Sequence, residues 1–425
     1  MKLKSVLVLP VFCGATFLCS GPTVQAFPPA TATTSQPPAA KPAEKTVTTP
    51  QVDDDHRLWD STQTLPNRED LKKLKNVTFI KIKAFEPEVD GYRFLHGVAL
   101  CWHKGKLYAS WGNNKGSENT GTEEARGRVS EDGGKTWGEV FTIDDGGEDP
   151  TQAVSHGVFL SHDGQLWAFH GAFTNSRKQV HAKAYVLDES TGQWQRKGVV
   201  ARDGFWPLQE PVKMDDGNWI MAGASLPDKI INKKVPGAVA ISHGDDLTKW
   251  DVVVLNNQID PELSIWGEST VLVNGKHITN ICRFGGKAQA LVAQSHDYGR
   301  TWTDQELSNL PMATSKPYSG TLSTGENYLV CTNTANSRGR RAPLTIALSR
   351  PGEPFFSRVY FIRDSVMPGD DINVDSAVNA ALSYPYAVEH DGKLYVGYSN
   401  NAARKGTNIN SAELAIIPLK ELQDN

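Results

Sequence analysis

The sequence predicts an all-β fold, a β-propeller of six blades in which each blade is a four-stranded antiparallel sheet. Two observations support this prediction. A hairpin pattern, two apolar runs around a glycine turn, occurs six times along the chain, and a second turn signature follows it in several copies. Signals for helices are nearly absent. Seven blades are the alternative, if an irregular blade lies in one of the longer spacings between hairpins.

The hairpins give the blade count. Each copy has an apolar run, a turn with glycine and a second apolar run, as in GVFLSHDGQLWAFHG from Gly157. Glycine accepts the positive φ of tight hairpin turns, so the pattern is a strong hairpin signal. The turn glycines lie 50 to 67 residues apart, which is near the period of propeller blades. They are Gly105, Gly164, Gly217, Gly275, Gly325 and Gly392.

The second signature, Ser-x-Asp-x-Gly-x-Thr-Trp, follows the third strand of a blade. Two copies are complete, at 130–137 and 295–302. Its Asp is suited to accept backbone N–H bonds within a turn, its Gly to adopt the left-handed conformation, and its Trp to pack between strands. We therefore assign it a structural role. The last apolar run, 412–419, lacks the signature, and we expect it to close the ring by pairing with 78–85.

The N-terminal segment predicts export. Residues 1–26 have a basic start, an apolar stretch and the small-residue pattern Val24-Gln25-Ala26, which together indicate a cleaved signal peptide. Residues 27–70 begin with a Pro-, Ala- and Thr-rich run, and we expect an extended linker there. The propeller is predicted over 71–425, and the protein is expected to be secreted or periplasmic.

Composition excludes several functional classes. There are 44 basic and 48 acidic residues, a net charge of −4, so the basic face of a nucleic-acid-binding protein is not expected. No later apolar run is long enough to span a membrane. Neither a Cys-x-x-Cys nor a His-Glu-x-x-His spacing occurs, so we predict neither a metal site nor a cofactor. We expect a monomer.

The propeller geometry selects candidate site residues. The first strand of every blade lines the central axis, so the residues just before these strands should converge at one mouth. Two histidines, two glutamates and two tyrosines in these positions favour a site. The alternative is a set of polar groups that plug the channel. The residues are His96, His156, Glu210, Glu268, Tyr318 and Tyr384.

Four segments and the turn signature carry a family resemblance. The segments are Tyr92-Arg93, Trp266-Gly-Glu268 followed by Arg283, Arg341 in RAPLTIALS, and Ser383-Tyr384. The folded region resembles the sialidase (neuraminidase) superfamily, whose propellers contain this signature as the Asp box or BNR repeat. The resemblance implies that Arg93, Arg283 and Arg341 bind one carboxylate, that Tyr384 is the nucleophile and that Glu268 is its base.

This implied chemistry is physically consistent. Guanidinium groups bind a carboxylate in a bidentate, always charged geometry. A tyrosine nucleophile with a neighbouring Glu suits an anionic anomeric centre that would repel an attacking carboxylate. The resemblance thus implies an exo-glycosidase that hydrolyses a terminal acidic sugar, sialic or uronic acid, from a glycan or oligosaccharide. His156, Glu210 and Tyr318 would be further substrate-binding residues.

Two departures from the family pattern open other interpretations. The expected Asp acid/base has no clear counterpart, and the segment offers only Glu118, Glu123 and Glu124. Phe94-Leu95 replaces the family's Ile-Pro, and His96 stands where the family has apolar residues. A histidine there resembles sialidase-like enzymes that cleave a rhamnose–glucuronate linkage. His96 would then be catalytic, in a hydrolase or a lyase. A non-catalytic glycan-binding propeller is the third interpretation.

Overall fold

The computed structural model describes residues 54–228, 234–256, 264–367, 370, 380–405 and 408–423. The predicted signal peptide and residues 27–53 of the predicted linker lie outside the described residues. No helix in these ranges is long and apolar enough to cross a membrane. The helices in the described ranges are α1 (Pro87–Asp90) and two 3₁₀ turns, Arg68–Asp70 and Leu419–Glu421.

Two short strands precede the blades. They are β1 (Lys72–Lys73) and β2 (Thr78–Lys83). Blade one contains β3 (Phe94–His103), β4 (Lys106–Asn114), β5 (Glu124–Ser130) and β6 (Phe141–Asp144). Blade two contains β7 (Gln152–His162), β8 (Gln165–Thr174), β9 (Lys178–Asp188) and β10 (Gln193–Ala201). Consecutive strands within these blades pair antiparallel, as predicted.

The inner strand of blade three is divided. The elements from here to blade four are β11 (Phe205–Pro207), β12 (Val212–Lys213), β13 (Trp219–Ser225), β14 (Lys234–Val235), β15 (Gly237–His243), β16 (Asp246–Val254) and β17 (Ile265–Trp266). Both β11 and β12 pair with β13, while β14 and β17 form a separate parallel pair. Gln209 lies in the gap between β11 and β12. Its side-chain amide donates to the carbonyls of Val271 and Ser319, both at 3.0 Å, and so connects blade three with blades four and five.

The last three blades complete the ring. Blade four contains β18 (Ser269–Asn274), β19 (His277–Cys282), β20 (Gln289–Ser295) and β21 (Glu306–Pro311). Blade five contains β22 (Tyr318–Thr321), β23 (Asn327–Cys331), β24 (Leu344–Ser349) and β25 (Phe356–Arg363), with β1 parallel at its edge. Blade six contains β26 (Leu382–His390), β27 (Lys393–Asn400), β28 (Ser411–Pro418) and, from the N-terminal side, β2.

The ring closes as the sequence predicted. Strand β2 pairs antiparallel with β28, so the outer strand of blade six comes from the start of the folded chain. The all-β prediction of six four-stranded blades is confirmed. Residues 54–70, which the sequence assigned to the linker, pack on this framework: Trp59 is fully buried, and its backbone N–H donates to the Asn309 side chain at 2.9 Å.

The turn signatures have the expected hydrogen bonds. Asp132 accepts bonds from the Thr136 backbone N–H at 2.9 Å and hydroxyl at 2.6 Å, and Asp297 accepts the same pair from Thr301. Gly134 has a φ of +84°, and a Cβ there would lie 2.8 Å from a Leu414 methyl group. The signature therefore fixes a turn and contacts the neighbouring blade.

Candidate active site

Irregular pairing at three inner strands brings three rings to one mouth. The register shifts directly after His96 in β3, around His156 in β7 and around Tyr384 in β26. Tyr384 has a φ of +50°, which is unusual for a non-glycine residue. Such bulges re-aim side chains and are common next to active sites. Here they place one aromatic side chain from each of three adjacent blades at the axis.

The three rings are in mutual contact. The centroid of Tyr384 lies 3.9 Å from that of His96 and 5.4 Å from that of His156. Gly97 makes this packing possible, because a Cβ there would lie 2.4 Å from Cγ of His156 and its φ is +70°. His96 and Tyr384 thus face each other across the junction of blades one and six.

Tyr384 is hydrogen-bonded to a carboxylate from blade four. Its hydroxyl donates to Oε1 of Glu268, and Nη1 of Arg283 donates to Oε2 of the same carboxylate at 2.6 Å. Burial, and then the charge of Glu268, raises the pKa of Tyr384 well above its usual value. The tyrosine is therefore a neutral phenol whose proton points at Glu268, an arrangement that suits transfer of that proton to the carboxylate.

Arg341 brings a second guanidinium to the same group. Its Nε and Nη2 donate to the Thr314 carbonyl at 3.2 and 2.9 Å, and its Nη1 donates to the Ser383 hydroxyl at 3.2 Å. Burial, and then the charge of Arg283, lowers the pKa of Arg341. Among the described residues, no carboxylate forms an ion pair with Arg341. Two guanidinium groups thus lie next to Tyr384, and within the described ranges only Arg283 has an acidic partner.

A small cavity opens beside this group. Tyr384, Glu268 and His156 contribute to its wall. The rest of the wall includes Arg177 and Trp266, whose guanidinium carbon and ring centroid are 5.2 Å apart. An aromatic ring with an adjacent cation is a typical sugar-contacting surface, apolar on one face and able to donate hydrogen bonds at its edge.

The three glutamates of the loop before β5 have different environments. Glu118 lines the cavity, as Glu268 does, and accepts a 2.6 Å hydrogen bond from the Asn408 amide. Burial is the main cause that raises the pKa of Glu118. Glu123 is 1% exposed and lies behind the wall. Glu124 accepts the hydroxyl of Tyr92 instead. Glu118 is therefore the residue of the three that is placed to give a proton to a ligand in the cavity.

Glu210 and Tyr318 form a second group. The Tyr318 hydroxyl donates to both Glu210 oxygens, at 2.7 and 2.5 Å, and Lys316 donates to the Pro385 carbonyl at 2.7 Å nearby. Burial raises the pKa of Glu210 and lowers that of Lys316 to about 7. Neither Glu210 nor Tyr318 lines the cavity. This pair fits the channel-plug interpretation better than substrate contact.

The sequence predicted a site role for Arg93 but none for Arg177, and the structure places the two residues differently. Arg93 is exposed, and no hydrogen bond or ion pair joins its guanidinium to another described residue. Arg93 does not line the cavity, and its expected place beside Arg283 and Arg341 stays a prediction. Arg177, which no sequence motif indicated, lies on the cavity wall. It has a φ of +59° in the turn between β8 and β9, a position without any recognisable sequence signal.

A family comparison covers most of the propeller. The profile of a family described as BNR repeat-like domain matches residues 105–396. No curated protein sequence matches the chain.

Solved structures share the fold at low sequence identity. A protein of unknown function from Dyadobacter fermentans has 16% identity and a TM-score of 0.60, over 81% of this chain and 99% of that one. The Hadza microbial sialidase Hz136 has 15% identity and a TM-score of 0.60, over 81% and 69%. Trypanosoma rangeli sialidase has 15% identity and a TM-score of 0.56, over 82% and 60%. The chain therefore spans less than two thirds of the Trypanosoma enzyme.

Proposed function

This chain belongs to the BNR repeat-like domain family, with the propeller fold of the sialidase superfamily, and from that premise we propose that it is an exo-glycosidase. The substrate is a glycan with a terminal acidic sugar, sialic or uronic acid, and the reaction is hydrolysis. The observation that supports this most is the charge at the mouth. Arg341 lies near the Arg283–Glu268 ion pair, and it has no acidic partner of its own among the described residues.

An acidic sugar balances this charge. Arg283 and Arg341 contribute two positive charges, and Glu268 contributes one negative charge. A partly buried cation is costly unless it is paired. A sugar carboxylate next to Arg341 supplies the missing pair, and the planar guanidinium group binds it through two parallel hydrogen bonds. With a neutral sugar, no described carboxylate would form an ion pair with Arg341.

The remaining residues have defined roles in this reaction. Glu268 takes the phenolic proton while the Tyr384 oxygen attacks the anomeric carbon, and Glu118 gives its proton to the departing glycosidic oxygen. In the second step Glu118 takes a proton from water, the water oxygen replaces Tyr384 at the anomeric carbon, and the proton on Glu268 returns to the phenol. His156, Trp266 and Arg177 line the space that the sugar occupies.

A second candidate function is favoured by the contact between His96 and Tyr384. Burial, and then the charge of His156, lowers the pKa of His96 well below its usual value, so its imidazole is neutral at pH 7. A neutral imidazole next to a tyrosine is a proton acceptor suited to cleavage beside a uronic acid. In that reaction His96 is catalytic, and the product shows whether the linkage is hydrolysed or eliminated.

A product assay tests these candidates. We would incubate the protein with a fluorogenic sialoside, a fluorogenic glucuronide and a rhamnose–glucuronate oligosaccharide. The proposal predicts free sialic or uronic acid, and Tyr384→Phe serves as the inactive control. An unsaturated uronate supports the second candidate. Saturable binding without any product supports the glycan-binding module and contradicts both enzymatic candidates.

Export and monomeric state belong to the same proposal. An exported glycosidase acts on glycans outside the cytoplasm, which agrees with the predicted signal peptide over 1–26. The mass of the protein secreted by its host tests the cleavage, with Phe27 expected as the new N-terminal residue. Light scattering tests the monomer.

A further inference from the structure

Behind the cavity wall, three side chains form a hydrogen-bonded chain that the proposed reaction does not use. The Ser155 hydroxyl contacts Oε1 of Glu123 on one side and Nδ1 of His156, at 3.1 Å, on the other. Glu123 and Ser155 are fully buried, whereas His156 lines the cavity. Its other ring nitrogen, Nε2, has no hydrogen-bond partner among the described residues. The chain therefore runs from a buried carboxyl group to a ring that faces the ligand space.

We propose that Glu123 is a positioning residue that acts through Ser155 on His156 and decides which ring nitrogen carries the hydrogen. The Ser155 hydroxyl has one hydrogen and lies between two partners. When Glu123 is ionised, the hydroxyl donates to the carboxylate and accepts from Nδ1–H of His156, so Nε2 faces the cavity as an acceptor. When Glu123 is protonated, its O–H donates to Ser155, which donates to Nδ1, and Nε2–H faces the cavity as a donor.

The surroundings of Glu123 allow both states. The Asn119 backbone N–H donates to Oε2 at 2.9 Å, so Oε1 is the oxygen that carries the proton. Burial raises the pKa of Glu123 to about 8. The charged groups that face it are Glu118, on its own loop, and Arg177, from the turn after β8. The change of state thus falls in an accessible pH range.

The surroundings of His156 keep its ring neutral throughout that range. Burial, followed by the charges of Lys316 and His170, lowers the pKa of His156 to about 3. His96 faces it as a third titratable group. Nδ1 of His170 donates to the Ser155 carbonyl at 2.8 Å. This bond fixes the backbone that joins Ser155 to His156. Only the position of the ring hydrogen changes, and the ring does not gain a charge.

The consequence for the ligand rests on the proposed function. Below about pH 8, His156 offers Nε2–H to an acidic sugar, whose carboxylate and hydroxyl oxygens accept hydrogen bonds. Above it, His156 offers a lone pair, which repels a carboxylate. Affinity for an acidic sugar is then expected to fall as the pH rises through the pKa of Glu123, about 8. The shift of the ring hydrogen itself does not require a ligand.

Nitrogen NMR of the imidazole rings tests the proposal without a substrate. The full chain is labelled with ¹⁵N-histidine, and the His156 resonances are assigned by their loss in His156→Gln. Between pH 6 and pH 10, we expect the hydrogen to move from Nε2 to Nδ1, with a midpoint near 8. In Glu123→Gln the amide oxygen accepts from Asn119 and the amide N–H donates to Ser155. His156 should therefore keep Nε2–H at every pH.

A neighbouring variant and a chain-breaking variant serve as controls. Glu124→Gln removes the same charge one residue away, on the side of Tyr92, and should keep the wild-type shift. Ser155→Ala removes the connecting hydroxyl and should abolish the shift, which also provides the test if Glu123→Gln does not fold. An unchanged tautomer from pH 6 to 10 in the wild type would overturn the proposal, as would a wild-type shift in Glu123→Gln. A protein that shows the shift but cleaves no acidic glycoside refutes the proposed function and leaves this inference intact.

Discussion

Replacement of Arg341 by lysine isolates the geometry of carboxylate recognition from its charge. Lysine retains a positive charge but not the planar fork, so one of two charge-assisted hydrogen bonds to the sugar carboxylate is lost. Each such bond contributes about 1.5–3 kcal/mol, and 1.4 kcal/mol corresponds to a factor of ten. We therefore expect kcat/KM on an acidic glycoside to fall about 10- to 150-fold.

The assay compares an acidic glycoside with its methyl ester, which lacks the charge. The variant should lose its activity against the acid while the low activity against the ester changes little. Arg340→Lys is the matched control, because Arg340 precedes Arg341 in the chain and is exposed. Equal losses on acid and ester, or a fully active Arg341→Lys enzyme, would refute the role of Arg341 in binding a carboxylate.

Three further predictions concern the reacting groups and the turn signature. Tyr384→Phe should abolish turnover while His96→Ala raises KM severalfold in steady-state kinetics; the reverse order supports the second candidate function. Glu118→Gln should lower kcat by about 10²–10⁴-fold. Because the pKa of Glu118 is raised, the wild-type enzyme keeps the proton on Glu118 to a higher pH and loses activity as the pH rises further. The pH–rate profile of the variant should lack this decline at high pH. Asp297→Ala should lower the free energy of unfolding by about 1–3 kcal/mol in a urea titration. Its kcat/KM per folded molecule should stay unchanged, and selective loss of turnover would contradict the structural assignment.

The blade count and the ring closure could be predicted because both depend on local, repeated signals. Hairpin glycines and the Asp-box turns have backbone requirements that can be read one repeat at a time. The pairing of β2 with β28 follows from the need to complete the last blade. The sequence also pointed to His96, His156, Glu268 and Tyr384, because a residue near the start of an inner strand has a defined place in a propeller. Of these, only Glu268 precedes its strand, whereas the other three lie within β3, β7 and β26.

The rest of the site depends on irregular backbone that has no periodicity. The bulge at Tyr384 and the close approach of Gly97 to His156 decide which rings touch, and both arise from tertiary packing. The loop that contains Glu118 and Glu123 folds without regular structure, so the sequence could not separate a cavity residue from a buried one. The inner strand of blade three is divided, and Glu210 lies in the gap between β11 and β12. Its carboxylate accepts a hydrogen bond from Tyr318 and does not line the cavity, which the sequence could not show.

The central claim is that Tyr384 attacks the anomeric carbon of an acidic sugar, and trapping of that intermediate tests it most directly. Sialic and glucuronic acid derivatives with a fluoride leaving group and a second, rate-slowing fluorine would be incubated with the full chain, followed by peptide mass mapping. We predict that one sugar is attached to Tyr384, that Tyr384→Phe is unlabelled and that Arg340→Lys is labelled normally. Attachment to another residue, or no attachment by either derivative in a protein that hydrolyses acidic glycosides, would contradict the claim.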